Sequence, residues 1–127
     1  MPVEYRKFIS REMLKSEPDT LFVFGDNMAR KGFGGQAKEM RGEPNAVGIP
    51  TKKTPSDAPN AFFSDADFLD AKKMIDEGIE RLISHLENSG NVVWPADGIG
   101  TGFAALPERA PAIWKYLEGC RTRLEEI

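Results

Sequence analysis

Two stretches of the chain set glycines among aspartate, asparagine and lysine at spacings suited to holding an anion. The first runs Gly25-Asp26-Asn27-Met28-Ala29-Arg30-Lys31-Gly32-Phe33-Gly34-Gly35-Gln36-Ala37 and closes with a G-x-G-x-x-A pattern. The second, Asp97-Gly98-Ile99-Gly100-Thr101-Gly102-Phe103, alternates three glycines with other residues. Glycine accepts positive φ and lets backbone N–H groups approach a phosphate closely, so either stretch can form an anion-binding loop. Together they can clasp a diphosphate, with Thr101 as a further donor. Between them Thr51-Lys52-Lys53 offers positive charge. Asp26 and Asp97 are the candidate general bases, because each closely follows an apolar run, where burial and a neighbouring loop can tune a carboxylate for proton transfer. Lys52 close to Asp97 would act in the opposite sense and hold it as the anion. Both aspartates can also simply cap turns by accepting backbone N–H bonds.

Two common nucleotide-binding patterns do not fit. A dinucleotide fingerprint sets its glycines directly after a strand and an acid about twenty residues further on. Here seven residues separate Phe24 from Gly32, and Thr51, Lys52 and Lys53 stand where the acid belongs. A P-loop requires Gly-Lys-Ser/Thr after its glycines, and none follows. Cys120 is the only cysteine and His85 the only histidine, so neither a disulfide within the chain nor a cysteine-based or two-histidine metal site is expected, and no cofactor is implied. The single cysteine and a charged N-terminus without a leader pattern give a cytoplasmic expectation, with no membrane association. A net charge of −3 argues against a surface devoted to nucleic acid, although Lys52 and Lys53 could begin a local basic patch. Arg30 and Lys31 read as solvated, and Glu39, Arg41 and Glu43 as the charged end of a short helix. The oligomeric state is not legible.

The elements that must position these residues follow from the apolar pattern. A chain of 127 residues suits one domain over its whole length. Leu21 to Phe24, Asn45 to Ile49 and Asn91 to Trp94 are apolar runs bounded by turn formers, and they predict three parallel strands, the first of them central. Val3 to Ile9 alternates as an exposed edge strand would. Ser64 with Asp67 forms a capping-box pattern, and Phe68, Ile75, Ile79, Leu82 and Leu86 then repeat at helical spacing until Gly90. A short helix is predicted from Gln36 to Met40 and a last one from about Pro107. Strands alternating with helices imply an α/β chain with a mostly parallel sheet in a three-layer α/β/α sandwich. In such folds ligands bind beyond the carboxyl ends of the strands, where both glycine loops fall. The Thr54 to Phe63 segment reads as an ordered connector whose phenylalanines cap the core, or as a lid over the strand ends.

Taken together, VFGDN, GFGGQA, GIPTKK and PADGIGTGFAAL resemble a group of macrodomain-like phage and bacterial proteins related to the ADP-ribose-binding macrodomains. The likeness covers most of the chain and implies a macrodomain-like sheet. It also implies binding of ADP-ribose or a related nucleotide diphosphate, and hydrolysis of an ADP-ribose linkage as an accompanying activity. By that resemblance Asn27 would bond the distal ribose. The loops, with Gly32, Gly34, Gly35, Gln36, Gly98, Ile99, Gly100 and Gly102, would hold the diphosphate, and Phe33 or Phe103 would stack on a ring. Lys52 matches the lysine of the hydrolytic macrodomain pattern, whereas Ala104 stands in place of its acid. Two other readings stand beside it: a non-catalytic sensor or sponge for a nucleotide signal, and a phage-type interaction module using Phe62 and Phe63.

Overall fold

The computed structural model describes residues 2–127. Its elements run β1 (Val3–Arg6), α1 (Arg11–Ser16), β2 (Thr20–Asn27), α2 (Ala37–Met40), β3 (Ala46–Lys52), α3 (Phe68–Glu87), β4 (Asn91–Pro95), α4 (Leu106–Arg109) and α5 (Pro111–Glu125). The four strands are all parallel, in the order β1-β4-β2-β3.

Strand periodicity sorts the core into two layers. Side chains alternate across a strand, so Leu21 and Val23 of β2 face the helices α3 and α5, while Phe22 and Phe24 face α1 and α2. All four are buried. Each contributes about 2 kcal/mol by leaving water, so this one strand anchors both layers. On one side Ala71, Ile75, Ile79, Leu82 and Leu86 of α3 pack with Ile113, Leu117 and Leu124 of α5. On the other, Leu14 of α1 and Ala37 and Met40 of α2 complete a smaller cluster. The result is the three-layer α/β/α arrangement.

Several details differ from the sequence reading. The strand β2 does not stop at Phe24; Gly25, Asp26 and Asn27 remain in the sheet, paired with Ile49, Pro50 and Lys52. A register shift between Asp26 and Asn27 passes over Thr51, and such a bulge re-aims side chains at a strand end. The strand β3 lies at the edge of the sheet, where a proline such as Pro50 is tolerated. Its end is covered by the following segment, since Lys53 N–H donates to Ala61 at 2.8 Å and Phe62 bridges Lys52 antiparallel. Phe62 and Phe63 are accordingly buried, so the connector reading holds and they offer no contact surface to a partner.

The capping box forms, with Ser64 N–H donating to Asp67, but it opens a 3₁₀ turn that runs into α3. The helix ends through Ser89, which takes the positive φ of 67° expected of Gly90. Gly90 is needed for another reason: a Cβ there would lie 2.4 Å from the His85 ring, which bonds the Asp19 carbonyl. The predicted last helix is two, with Ala110 between α4 and α5. No helix of the described residues is long and apolar enough to cross a membrane.

Candidate functional site

The carboxyl ends of β2, β3 and β4 open into a cavity of about 560 Å³, a volume typical of small-molecule sites. Both glycine loops line it: Gly32 to Ala37 after β2, and Asp97 to Ala104 after β4. Asp26, Asn27, Thr51 and Lys52 lie at its strand-end floor, joined by Lys31, Arg41 and Pro55. Every residue singled out as catalytic or ligand-binding from the sequence therefore borders one space. Phe33 and Phe103, one from each loop, are 64% and 68% exposed at its mouth.

The first loop is built on a buried ion pair. Alternation along β2 carries Asp26 to the same face as Phe24, toward the layer that holds α2, and there it meets Arg41 at the end of that helix. Its carboxylate is saturated: Oδ1 accepts from Asn27 N–H and Arg41, and Oδ2 accepts from Arg41 and Arg30. With its lone-pair positions occupied, Asp26 positions its neighbours and is not arranged as a general base. Arg41 in turn donates from Nε to the Gly32 carbonyl at 2.7 Å and from Nη2 to that of Lys31. Arg30 sits at φ 56° and donates to the Gly48 carbonyl. Sequence reasoning placed both arginines in solvent or at a helix end. The signal that would have found them is the buried Asp26, since a carboxylate inside the sheet demands a cation.

Asn27 closes the turn above this pair. Its Nδ2 donates to the Lys31 carbonyl at 2.8 Å and its Oδ1 accepts from Lys31 N–H at 3.4 Å. One amide N–H remains for a ligand. Gln36 accepts from Gly25 N–H, tying the loop's end back to β2.

The second loop is shaped by backbone and packing. Gly98 and Gly100 adopt φ of 83° and 76°, Thr101 donates to the Asp97 carbonyl, and Leu106 N–H donates to Gly100. Buried Ile99 fixes the loop to the core. Thr51 bridges the two halves of the floor: Cβ atoms added at Gly25 and Gly100 would lie 3.4 and 3.0 Å from its side chain.

Lys52 and Asp97 do not pair. Lys52 is buried, its Nζ donating to the Ser56 carbonyl at 2.8 Å and lying 4.6 and 4.5 Å from the Phe62 and Phe103 ring centres. Arg109 stacks on Phe62, 3.7 Å from its centre. Burial pushes the Lys52 ammonium below the ordinary lysine value; Asp57 opposes that shift and Arg109 adds to it. Asp97 is exposed. Lys53 pairs with Asp67, so the two lysines do not form an exposed basic patch.

Among the described residues, the backbone N–H groups of Gly32 to Gln36 and of Ile99 to Ala104 donate to no protein acceptor. Two runs of unspent donors thus border one cavity. Neither run depends on a long helix, because α2 and α4 are single turns. No group of three or more potential metal-ligating side chains occurs among the described residues.

These features define an α/β protein with a preformed, donor-lined cavity at the carboxyl edge of a parallel sheet. The chain belongs to a family of unknown function (DUF7831), whose model matches residues 4–120. No curated protein and no solved structure matches it.

Proposed function

We propose that the cavity binds a nucleotide carrying a diphosphate, ADP-ribose or a close relative, with the two glycine loops closing on the diphosphate. The observation that carries this reading is the pair of free N–H runs on opposite sides of one space. Backbone N–H groups without protein partners in glycine-rich loops are available to an anion, and a diphosphate presents several anionic oxygens. Lys31 and Lys52 add positive charge at the same border. The exposed rings of Phe33 and Phe103 supply stacking faces. The resemblance of VFGDN, GFGGQA, GIPTKK and PADGIGTGFAAL to ADP-ribose-binding macrodomains supports the same ligand class.

A specific observation favours binding without turnover. Asp26 is saturated by arginines and Asn27, and Lys52 is held by Ser56 and two rings, which leaves Asp97 alone to serve as a base. In this second reading the protein is a sensor or sponge that holds its nucleotide unchanged.

A thermal-shift screen against ADP-ribose, NAD, ADP, AMP and phosphate tests the binding reading. A ligand bound only by the folded state stabilises it by about 2.7 kcal/mol at about 100 times its Kd. Adenosine diphosphate compounds should raise Tm and AMP should not; absence of any shift, with no heat on titration, overturns the reading. Unchanged ligand after prolonged incubation identifies the sensor, and release of ribose or ADP-ribose products identifies a hydrolase.

A further inference from the structure

Asp97 is at odds with its surroundings. It opens the second glycine loop, just ahead of the N–H groups of Ile99 to Ala104 that donate to no protein acceptor. Backbone donors of that kind favour an anion, and a carboxylate beside them opposes one. Nor does the fold ask for that carboxylate. The turn closes through main-chain groups, with Gly98 N–H donating to the Pro95 carbonyl at 2.9 Å and the Thr101 hydroxyl to the Asp97 carbonyl at 2.7 Å. The Asp97 side chain is exposed, accepts no hydrogen bond and joins no ion pair among the described residues. Asp26, by contrast, is saturated.

The charges around the cavity give this carboxylate weight. Five charged side chains border it, three cations and two carboxylates. Arg41 is spent on Asp26, and Lys52 bonds the Ser56 carbonyl between two rings. Of the five, Lys31 is the one exposed cation and Asp97 the one exposed carboxylate. The site is thus rich in neutral donors and carries little net charge to offset a highly charged ligand.

Resting on the diphosphate reading above, we propose that Asp97 is a specificity residue: it repels a phosphate that carries a second negative charge and so restricts the cavity to diphosphates esterified at both ends. A terminal phosphate loses its second proton near about pH 6. ADP therefore brings about one more charge than ADP-ribose, whose two phosphates hold one each. Discrimination of this kind calls for a repulsive element beside the attractive ones, and Asp97 supplies it at the border of the donor run. Phe33 and Phe103 suit a ligand with two organic ends, since each loop carries an exposed ring.

Titration calorimetry with ADP and with its β-methyl ester tests this, because the two ligands differ by one methyl group and one charge. At about pH 8 and low salt the parent should bind the ester about fivefold more tightly than ADP, the effect expected of one added like charge several ångströms away and partly screened by water. Asp97→Asn should bring that ratio close to one, and Asp97→Lys should reverse it. ADP-ribose should follow the ester in every variant. Unliganded Tm values matching the parent's confirm that both variants fold, as expected for an exposed side chain without partners. If the ratio is the same in parent and both variants, the inference is overturned while the diphosphate site stands. If Asp97→Asn weakens ADP, the ester and ADP-ribose equally, Asp97 accepts a hydrogen bond from the ligand and does not discriminate, which also overturns it. If the parent binds none of the three, the diphosphate reading falls and this one with it.

Discussion

The two glycine loops border the same cavity but are held by different physics. The loop after β2 hangs from a charged clasp: Asp26 inside the sheet grips Arg41 and Arg30, and Arg41 holds the carbonyls of Lys31 and Gly32. Beyond that clasp its glycines are free, and a Cβ at Gly34 would meet nothing within 4 Å. The loop after β4 has no such clasp. It is wedged into the core by Ile99, and a Cβ at Gly100 would press on Thr51 and Leu106 at 3.0 and 3.1 Å. Glycine in the first loop leaves room for something to approach, whereas Gly100 in the second leaves room for the protein itself.

The sharpest way to break this contrast is to remove the clasp. Asp26→Ala strips a buried carboxylate from two guanidiniums, and breaking such a pair costs roughly 3 kcal/mol. The urea midpoint should fall accordingly, and hydrogen exchange should accelerate in residues 28–36 and not in residues 98–104. Equal acceleration in both loops would mean that the clasp supports the whole edge.

A smaller effect separates the glycines. Gly100→Val places a β-branched residue at φ 76° against packed neighbours and should cost about 2 kcal/mol. Gly34→Val meets open space and lies outside the left-handed region, so its stability change should stay within about 0.5 kcal/mol while ADP-ribose binding is lost. If Gly34→Val destabilises as much as Gly100→Val, or binds normally, the proposed role of the first loop's glycines is wrong.

The smallest effect is electrostatic. Burial lowers the Lys52 pKa, so the unfolded chain holds that proton more tightly than the folded one. Stability then rises with pH between the lowered folded value and the ordinary 10.5, as the folded state sheds a proton that the unfolded state retains. Below that window the burial penalty is fully present. The Tm of the parent should therefore gain on that of Lys52→Met as pH is raised toward 10.5. A constant difference would show that Phe62, Phe103 and Ser56 stabilise the charged ammonium enough to offset its burial.

Much of this arrangement is legible before folding. Short apolar runs bounded by glycine, proline and asparagine marked β2, β3 and β4, because a buried strand has to be apolar and has to end in residues that turn. Helical spacing marked Ile75, Ile79, Leu82 and Leu86 as the core stripe of α3. The order of strands and helices implied that both loops share the carboxyl edge, and they border one cavity there.

Charge partners were not legible. Local pattern made Gly25-Asp26-Asn27 a turn and Arg41 a solvated helix end, yet Asp26 and Arg41 lie fifteen residues apart and meet only when the sheet and α2 pack. The same holds for Lys52, whose nearness to Asp97 was a plausible inference from strand order. Its side chain instead turns to Ser56, Phe62 and Phe103, contacts created by the covering segment and the bulge at the end of β3. The sequence by itself determined which residues enter strands and helices and which loops fall on one edge, because periodicity and turn chemistry act over a few residues. Only the tertiary structure decided which carboxylate is spent and which N–H groups are left unspent, because hydrogen bonds and ion pairs are settled by distances across the fold that no local pattern encodes.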